Sequence, residues 1–243
     1  MPYVRLGAFS KKPQGPFGFT ANQAALARME KGNLGCFAER RFLLAENSVM
    51  AIAAAIPSRR GNFGVEVNHA GFKNFNENKI GLAYARKLSQ VLDLGIQFNY
   101  YSRQIPQYGN AASVYVELGA IAHFSDNFCG GIHVYNPVGG FLGKGKIEKL
   151  ASAYSFGLGY DASDFCNVSA SIVKEEDKPV NVIAGVQYQF EKQFFAKVGF
   201  MSESASPFAG FGLGWRNLRL DLSGSFHPQL GFSPGVLLIL QPK

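Results

Sequence analysis

Most of this chain alternates. From about residue 35 onward, apolar and polar side chains follow each other with period two. Leu92, Leu94, Ile96, Phe98 and Tyr100 share one face, with Asp93, Gly95, Gln97, Asn99 and Tyr101 on the other. The same pattern returns in three further runs. Val114 to Phe124 opposes Ser113 to His123, Val180 to Phe190 opposes Asn181 to Gln189, and Leu218 to Phe226 opposes Arg219 to His227. A side-chain period of two means extended strands with one apolar and one polar face.

Turn-forming residues set the boundaries. Tight turns fall at Ser58–Gly61, Leu88–Gln90, Ser125–Asn127, Ser163–Asp164, Glu191–Gln193 and Arg216–Asn217. Looser connections lie between them, at Leu44–Ser48, Gly71–Asn78, Gln104–Asn110, Pro137–Lys149, Glu175–Pro179, Ser202–Pro207 and Pro228–Pro234. Six tight turns interleaved with seven looser ones predict about fourteen strands. Short turns on one rim, longer loops on the other and an even strand count are the pattern of bacterial outer-membrane barrels. Both termini then lie on the periplasmic side.

The longest uninterrupted apolar run, Val49 to Ile56, is less than half of what a membrane-spanning helix needs. A chain that crosses a bilayer without such a helix must do so as a closed barrel, because lipid satisfies no backbone hydrogen bonds. The rival is a soluble β-sandwich, which also alternates. A sandwich shows its polar face to water and carries ample charge there. Here only 17% of residues are charged, and the polar face is rich in Gly and Ser, as at Gly210, Gly212 and Gly214. Tyr84, Tyr100, Tyr101, Tyr135, Tyr160 and Trp215 stand at strand ends, where interface girdles sit. The prediction is an all-β transmembrane antiparallel barrel of about fourteen strands over residues 35–243, in the bacterial outer membrane. The opening Met1–Arg5 has no apolar core of a signal peptide, which taken alone argues for a cytoplasmic protein; because the strand pattern suits no soluble fold, the chain reads instead as the mature form.

Residues 1–34 differ. Pro13, Gly15, Pro16 and Gly18 precede Thr20–Met29, an Ala- and Leu-rich stretch that suits a short helix capped by Thr20 or Asn22. The Gly- and Ser-rich lumen faces leave room for backbone to approach, so the expected home of this segment is the bore, as a hatch.

The stretch Asn22–Gln23–Ala24–Ala25–Leu26–Ala27 resembles the Asn-Pro-Ala-Gly-Leu-Ala hatch motif of fatty-acid-transporter-like (FadL-type) barrels, especially their Bacteroidota relatives of the type IX secretion system, the PorV and PorQ type. Phe37–Leu44, Ala55–Ile56–Pro57 and the closing Ser225–Gly235 are similar too. The resemblance implies fourteen strands, an outer-membrane location and a hatch motif at Asn22, Gln23, Ala24 and Leu26. Gln23 stands where the family has Pro, the chain lacks long external loops, and it ends on Gln241–Pro242–Lys243 rather than an aromatic.

Glu66, Asp93, Arg103, Glu117, Lys197, Arg216, Arg219 and Asp221 are expected in a lumen polar network, paired with one another and with the hatch. Arg219 and Asp221 share a face two residues apart. Cys36, Cys129 and Cys166 lack CxxC spacing, and His69, His123, His133 and His227 lack ligand spacing, so neither a metal nor another cofactor is expected. Ser225 and His227 share one strand face but make a weak catalytic pair, and no nucleophile elbow is present. The net charge of +7 comes from scattered residues, which argues against nucleic-acid binding.

The features favour a non-enzymatic barrel in contact with outer-membrane lipid. Short loops and a filled lumen point first to an accessory subunit of a larger machine for protein secretion or barrel assembly. The alternative is a passive transporter of hydrophobic small molecules. It is motivated by the fatty-acid-transporter resemblance and by Phe9, Phe17 and Phe19, with Pro137 as a candidate kink for a lateral opening.

Overall fold

The computed structural model describes residues 2–12, 15–106, 109–143, 148–191 and 193–241. Pro13, Lys192 of one tight turn, and the closing Pro242–Lys243 lie outside the described residues. The strands are β1 (Asn33–Arg40), β2 (Ser48–Ile56), β3 (Asn62–Gly71), β4 (Asn76–Lys87), β5 (Leu92–Ile105), β6 (Gly109–His123) and β7 (Phe128–Tyr135). A small hairpin follows, β8 (Phe141–Leu142) and β9 (Glu148–Lys149). The rest are β10 (Ala153–Ser163), β11 (Cys166–Glu175), β12 (Asn181–Phe190), β13 (Phe194–Met201), β14 (Ser206–Trp215), β15 (Leu218–His227) and β16 (Gly231–Leu240).

Fourteen of these strands, all but β8 and β9, close into one antiparallel barrel in which each pairs with its sequence neighbours. Closure is made by β1 against β16, in register from Leu34 opposite Leu240 to Glu39 opposite Gly235. The sandwich alternative is thereby excluded. The predicted tight turns fall between strands on one rim and the looser connections on the other, but the strands run on into several of the latter: only residues 72–75 separate β3 from β4 and only 228–230 separate β15 from β16, no more than in the tight turns. The loop joining β7 to β10 carries the β8–β9 hairpin, which lies against β6 through the Gly143 N–H to Ala112 carbonyl bond.

The outward face is apolar along nearly every strand. On β15, Leu218, Leu220 and Leu222 point out and Arg219 and Asp221 point in. Exposed Ile80, Leu82, Phe98, Val114, Ile132, Phe156, Phe200 and Phe211 continue the belt around the wall. An apolar surface of this extent is far beyond what a soluble monomer leaves to water.

One stretch is apolar on both faces. On β2, Met50, Ile52 and Ile56 are exposed while Val49, Ala51, Ala53 and Ala55 are buried in the bore. The inner row packs with Phe37, Leu237 and Ile239 of β1 and β16, and with Phe17, Phe19, Leu26 and Met29 of the N-terminal segment. The apolar run Val49–Ile56 is thus a strand between lipid and an internal core.

Leu222, in the middle of β15 and 62% exposed, separates lipid from water as the outer medium. Leu222→Arg is expected to lower stability in phospholipid vesicles by about 2–4 kcal/mol, the cost of a cation near the bilayer midplane. Denaturant unfolding in vesicles measures it; an unchanged midpoint would mean that this wall faces water.

Candidate functional site

Residues 2–12 and 15–29 run inside the barrel rather than beside it. They form one short helix, α1 (Pro2–Arg5), and two 3-10 turns, Pro16–Thr20 and Gln23–Arg28. The predicted cap is present in part: the Asn22 side-chain oxygen accepts from the Ala24 N–H at 3.0 Å, but the turn that it caps is 3-10. A run of six residues flanked by extended backbone is too short to settle as α-helix.

The wall holds this segment at several heights. The Tyr3 hydroxyl donates to Asp221 at 2.8 Å, and Asp221 also receives Arg219 through two 2.7 Å bonds. Burial first, then the Asp221 carboxylate, raises the Tyr3 hydroxyl far above its usual range, so it remains a donor. Lys197 Nζ lies 5.0 Å from the Tyr3 ring centre and 3.5 Å from the Tyr3 carbonyl. Ser10 donates to Asp161 at 2.8 Å, and Lys11 and Lys12 reach Asp126 and Asp164 on two tight turns.

Glycines make space for the closest approaches. A Cβ on Gly159 would overlap the Phe9 carbonyl, and one on Gly157 would overlap the Phe9 ring. A Cβ on Gly95 would collide with the backbone of Gln23 and Ala24.

The residues of the expected hatch motif are buried against β3 to β7, with Leu26 on the β3 side. Asn22 donates to the Ala120 and Ile132 carbonyls at 3.3 and 3.0 Å. Gln23 donates to Glu117 at 2.6 Å. Ala24 and Leu26 are fully buried. Arg28 ends the segment on Asp93, with contacts of 2.7 and 3.2 Å, and His123 shares that carboxylate at 2.7 Å.

Seven of the eight predicted network residues face the bore, in separate groups. Glu66 and Glu117 share Lys79, at 3.0 and 3.2 Å, and Glu117 also meets His133 at 3.0 Å. Asp93 sits lower, with Arg28; Arg219, Asp221 and Lys197 stand on the opposite side, with Tyr3. Arg103 pairs with Glu77 at 2.9 Å near the loop rim. Arg216 does not belong to the network: it is exposed on the β14–β15 turn, with its guanidinium 5.4 Å from the Trp215 ring centre. The alternation breaks at a turn, so parity along the strand fails to place it. Sequence reasoning also missed Lys79, Arg28 and His133. Lys79 lies in the bore-facing row of β4 with Gly81 and Ala83, and that row was legible.

Above the N-terminal segment the bore is open. A cavity of about 830 Å³ reaches toward the loop rim, floored by Pro2, Leu6, Phe9 and Ala21. Its walls differ. Glu77, Tyr101, Arg103 and His133 line one side; Ala153, Val173, Ile183 and Met201 line the other, with Ser155, Ser169 and Ser171 between. The mouth carries the ion pairs Lys149–Glu176 and Lys178–Glu175, at 2.6 and 2.9 Å. The hydrogen bond from Lys149, then that from the Ser152 N–H, holds the Glu176 carboxyl below its ordinary range. Pro137 lies in the loop beyond β7, and β7 stays paired with β10 from Phe128 to Tyr135, so no lateral gap opens there. The His227 ring accepts from the Gln229 and Leu230 N–H groups, which occupies it within its own turn. Among the described residues no group of His, Cys, Asp or Glu could hold a metal ion.

No family model matches the chain, and no curated protein matches it. Solved structures do. A deltaS2S3 mutant of the TodX monoaromatic hydrocarbon channel superimposes with a TM-score of 0.64 at 10% identity, over 96% of this chain and 95% of that one. The toluene transporter TodX of Pseudomonas putida gives 0.62 at 10% identity, with 91% of each chain covered. A FadL homologue of Pseudomonas aeruginosa gives 0.58 at 12% identity, over 96% and 94%. At such identities the likeness is one of fold, and it lies with FadL-family outer-membrane barrels; the link to PorV and PorQ is not shown. The expectation of a secretion or assembly subunit does not stand. It rested on a filled lumen, whereas the bore holds a sizeable cavity, and these neighbours are hydrocarbon channels and a FadL homologue.

Asp93→Ala leaves Arg28 and His123 without their shared anion. Breaking a buried pair costs about 3 kcal/mol, equivalent to about 100-fold in an opening equilibrium. Hydrogen exchange of the amides of residues 24–29 is expected to accelerate by that factor, with the strand amides unchanged; equal protection in both proteins would show that Arg28 does not anchor the segment.

Proposed function

We propose that this protein is a passive channel for hydrophobic small molecules in a bacterial outer membrane, and that residues 2–29 act as its hatch. The observation that carries the reading is the cavity between that segment and the loop rim. Its volume of about 830 Å³ falls in the range of small-molecule sites. Its Ala, Val, Ile and Met side offers apolar contact, and Arg103 and His133 across the cavity offer a few polar groups. A small apolar molecule, such as a monoaromatic hydrocarbon, gains by leaving water for that side. A solidly packed bore would offer no such place.

The fold neighbours support the reading, since TodX is a monoaromatic hydrocarbon channel with the same architecture. The apolar outer belt supports a membrane location. The start of β1 and the end of β16 lie together on the tight-turn rim, which in this reading is the periplasmic one. Apolar molecules enter from the loop side, rest in the cavity and move on when the hatch shifts. The anchors at Asn22, Gln23 and Arg28 are polar, so they can exchange for other partners in the bore. The hatch thereby blocks water-soluble solutes while leaving a stepwise route for apolar ones.

Uptake of labelled toluene by intact cells tests this. Expression of the protein is expected to raise uptake above that of the empty vector. Ser171→Trp, which fills the cavity from the β11 wall, is expected to return it to the vector level while the barrel still assembles. Uptake that ignores the protein, or a Trp variant as active as the parent, would contradict the proposal.

A further inference from the structure

The tight-turn rim is unevenly charged. Around β10 and the turn joining β6 to β7, Lys11 and Lys12 are matched by Asp126 and Asp164. Three cations at the loop rim are matched as well, in Arg41–Glu39, Lys149–Glu176 and Lys178–Glu175, while exposed Arg40 and Lys73 of that rim make no ion pair among the described residues. The sector from β1 to β4 differs. Lys31, Arg59, Arg60, Arg86 and Lys87 are all exposed there. Among the described residues none of the five side chains makes an ion pair or hydrogen bond. The acids of this sector are exposed Glu30 and buried Asp93, and Arg28 already holds Asp93.

The fold brings the five together. Asn62 pairs with Ala85, which sets the Arg59–Arg60 turn beside the end of β4. The Tyr84 hydroxyl donates to the Arg60 carbonyl at 2.8 Å and ties that turn to β4. A Cβ on Gly32 would touch the Ala55 carbonyl and Pro57, so Lys31 adjoins the same turn. Five like charges held close repel one another and call for an anion.

Their height on the wall identifies that anion. On β4 the outward row runs Ile80, Leu82, Tyr84, Arg86. The Tyr84 ring packs on outward Phe63, 5.2 Å between centres, as an aromatic pair at the lower end of the apolar belt. Arg86 follows two residues on, about 6–7 Å farther along the strand. Exposed Leu88 and Val91 sit in the adjoining turn. The cations therefore stand where apolar wall gives way to headgroups, with apolar side chains still beside them.

We propose that this corner of the rim binds a phospholipid whose phosphate headgroup carries net negative charge, of the phosphatidylglycerol or cardiolipin kind. Arg59, Arg60 and Arg86 hold the phosphate, and outward Phe63, Leu82 and Tyr84, on the belt side of Arg86, receive the upper acyl chains. Guanidinium groups suit phosphate oxygens through paired N–H donors. The inference rests on the barrel spanning a membrane and is independent of what passes through it.

The test uses the full chain inserted in nanodiscs that mix phosphatidylcholine and phosphatidylglycerol. Heat-modifiable mobility verifies insertion separately, so a barrel that never inserts counts against the membrane reading and not against this site. Native mass spectrometry then reads the retained lipid. The parent is expected to retain phosphatidylglycerol preferentially and to lose that preference when salt is raised to about 0.5 M. The variant R59Q/R60Q/R86Q is expected to lose at least about tenfold of the preference. The loop-rim variant K73Q/K174Q/K178Q, with the same change of charge, is expected to keep it. Equal retention of both lipids by the parent, or an unchanged preference in the rim variant, would overturn the proposal. So would displacement of the lipid by millimolar inorganic phosphate, which would mark a free-anion site.

Discussion

Backbone hydrogen bonding is the constraint on which the rest of this structure depends. In hydrocarbon an unpaired N–H or C=O has no water to turn to, and each costs several kcal/mol. The only remedy for a sheet is to have no edge. The pairing of β1 with β16, from Leu34–Leu240 to Glu39–Gly235, provides that remedy. Once the sheet closes, a bore follows, and a bore fourteen strands around is too wide for short wall side chains to fill.

The chain fills it unevenly. On the side of β16, β1 and β2 the inner wall is apolar, and Phe17, Phe19 and Leu26 pack on Ala51, Ala53, Leu237 and Ile239. On the side of β3 to β7 the inner wall is polar, and Asn22, Gln23 and Arg28 meet carbonyls and carboxylates. The N-terminal segment is thus amphipathic in a barrel with two kinds of inner wall. Small residues such as Gly95 and Gly159 set how closely it approaches. It stops short of the loop rim, and the remaining space is the cavity.

The strand plan was legible because lipid and bore impose opposite polarities on alternate residues, and because all six tight turns carry polar turn formers. The paired Arg219 and Asp221 were legible from parity alone. Val49–Ile56 was harder to read, since both of its faces are apolar and only the packed segment explains the inner one. Arg216 was misplaced because parity has no meaning in a turn with positive φ. The groupings Asp93–Arg28–His123 and Glu66–Lys79–Glu117 join residues 13 to 65 positions apart across strands and segment, which no local pattern encodes. The cavity was invisible for the same reason: it is what the segment leaves over.

Occupancy of that cavity is the central claim, and it can be seen directly. Crystals of the protein soaked with iodobenzene, followed by anomalous diffraction at the iodine, locate an apolar aromatic without reference to transport. The account predicts iodine between Val173, Ile183 and Met201, above Leu6 and Phe9. Iodine found only on the outer wall, with a cavity full of ordered water, would contradict it.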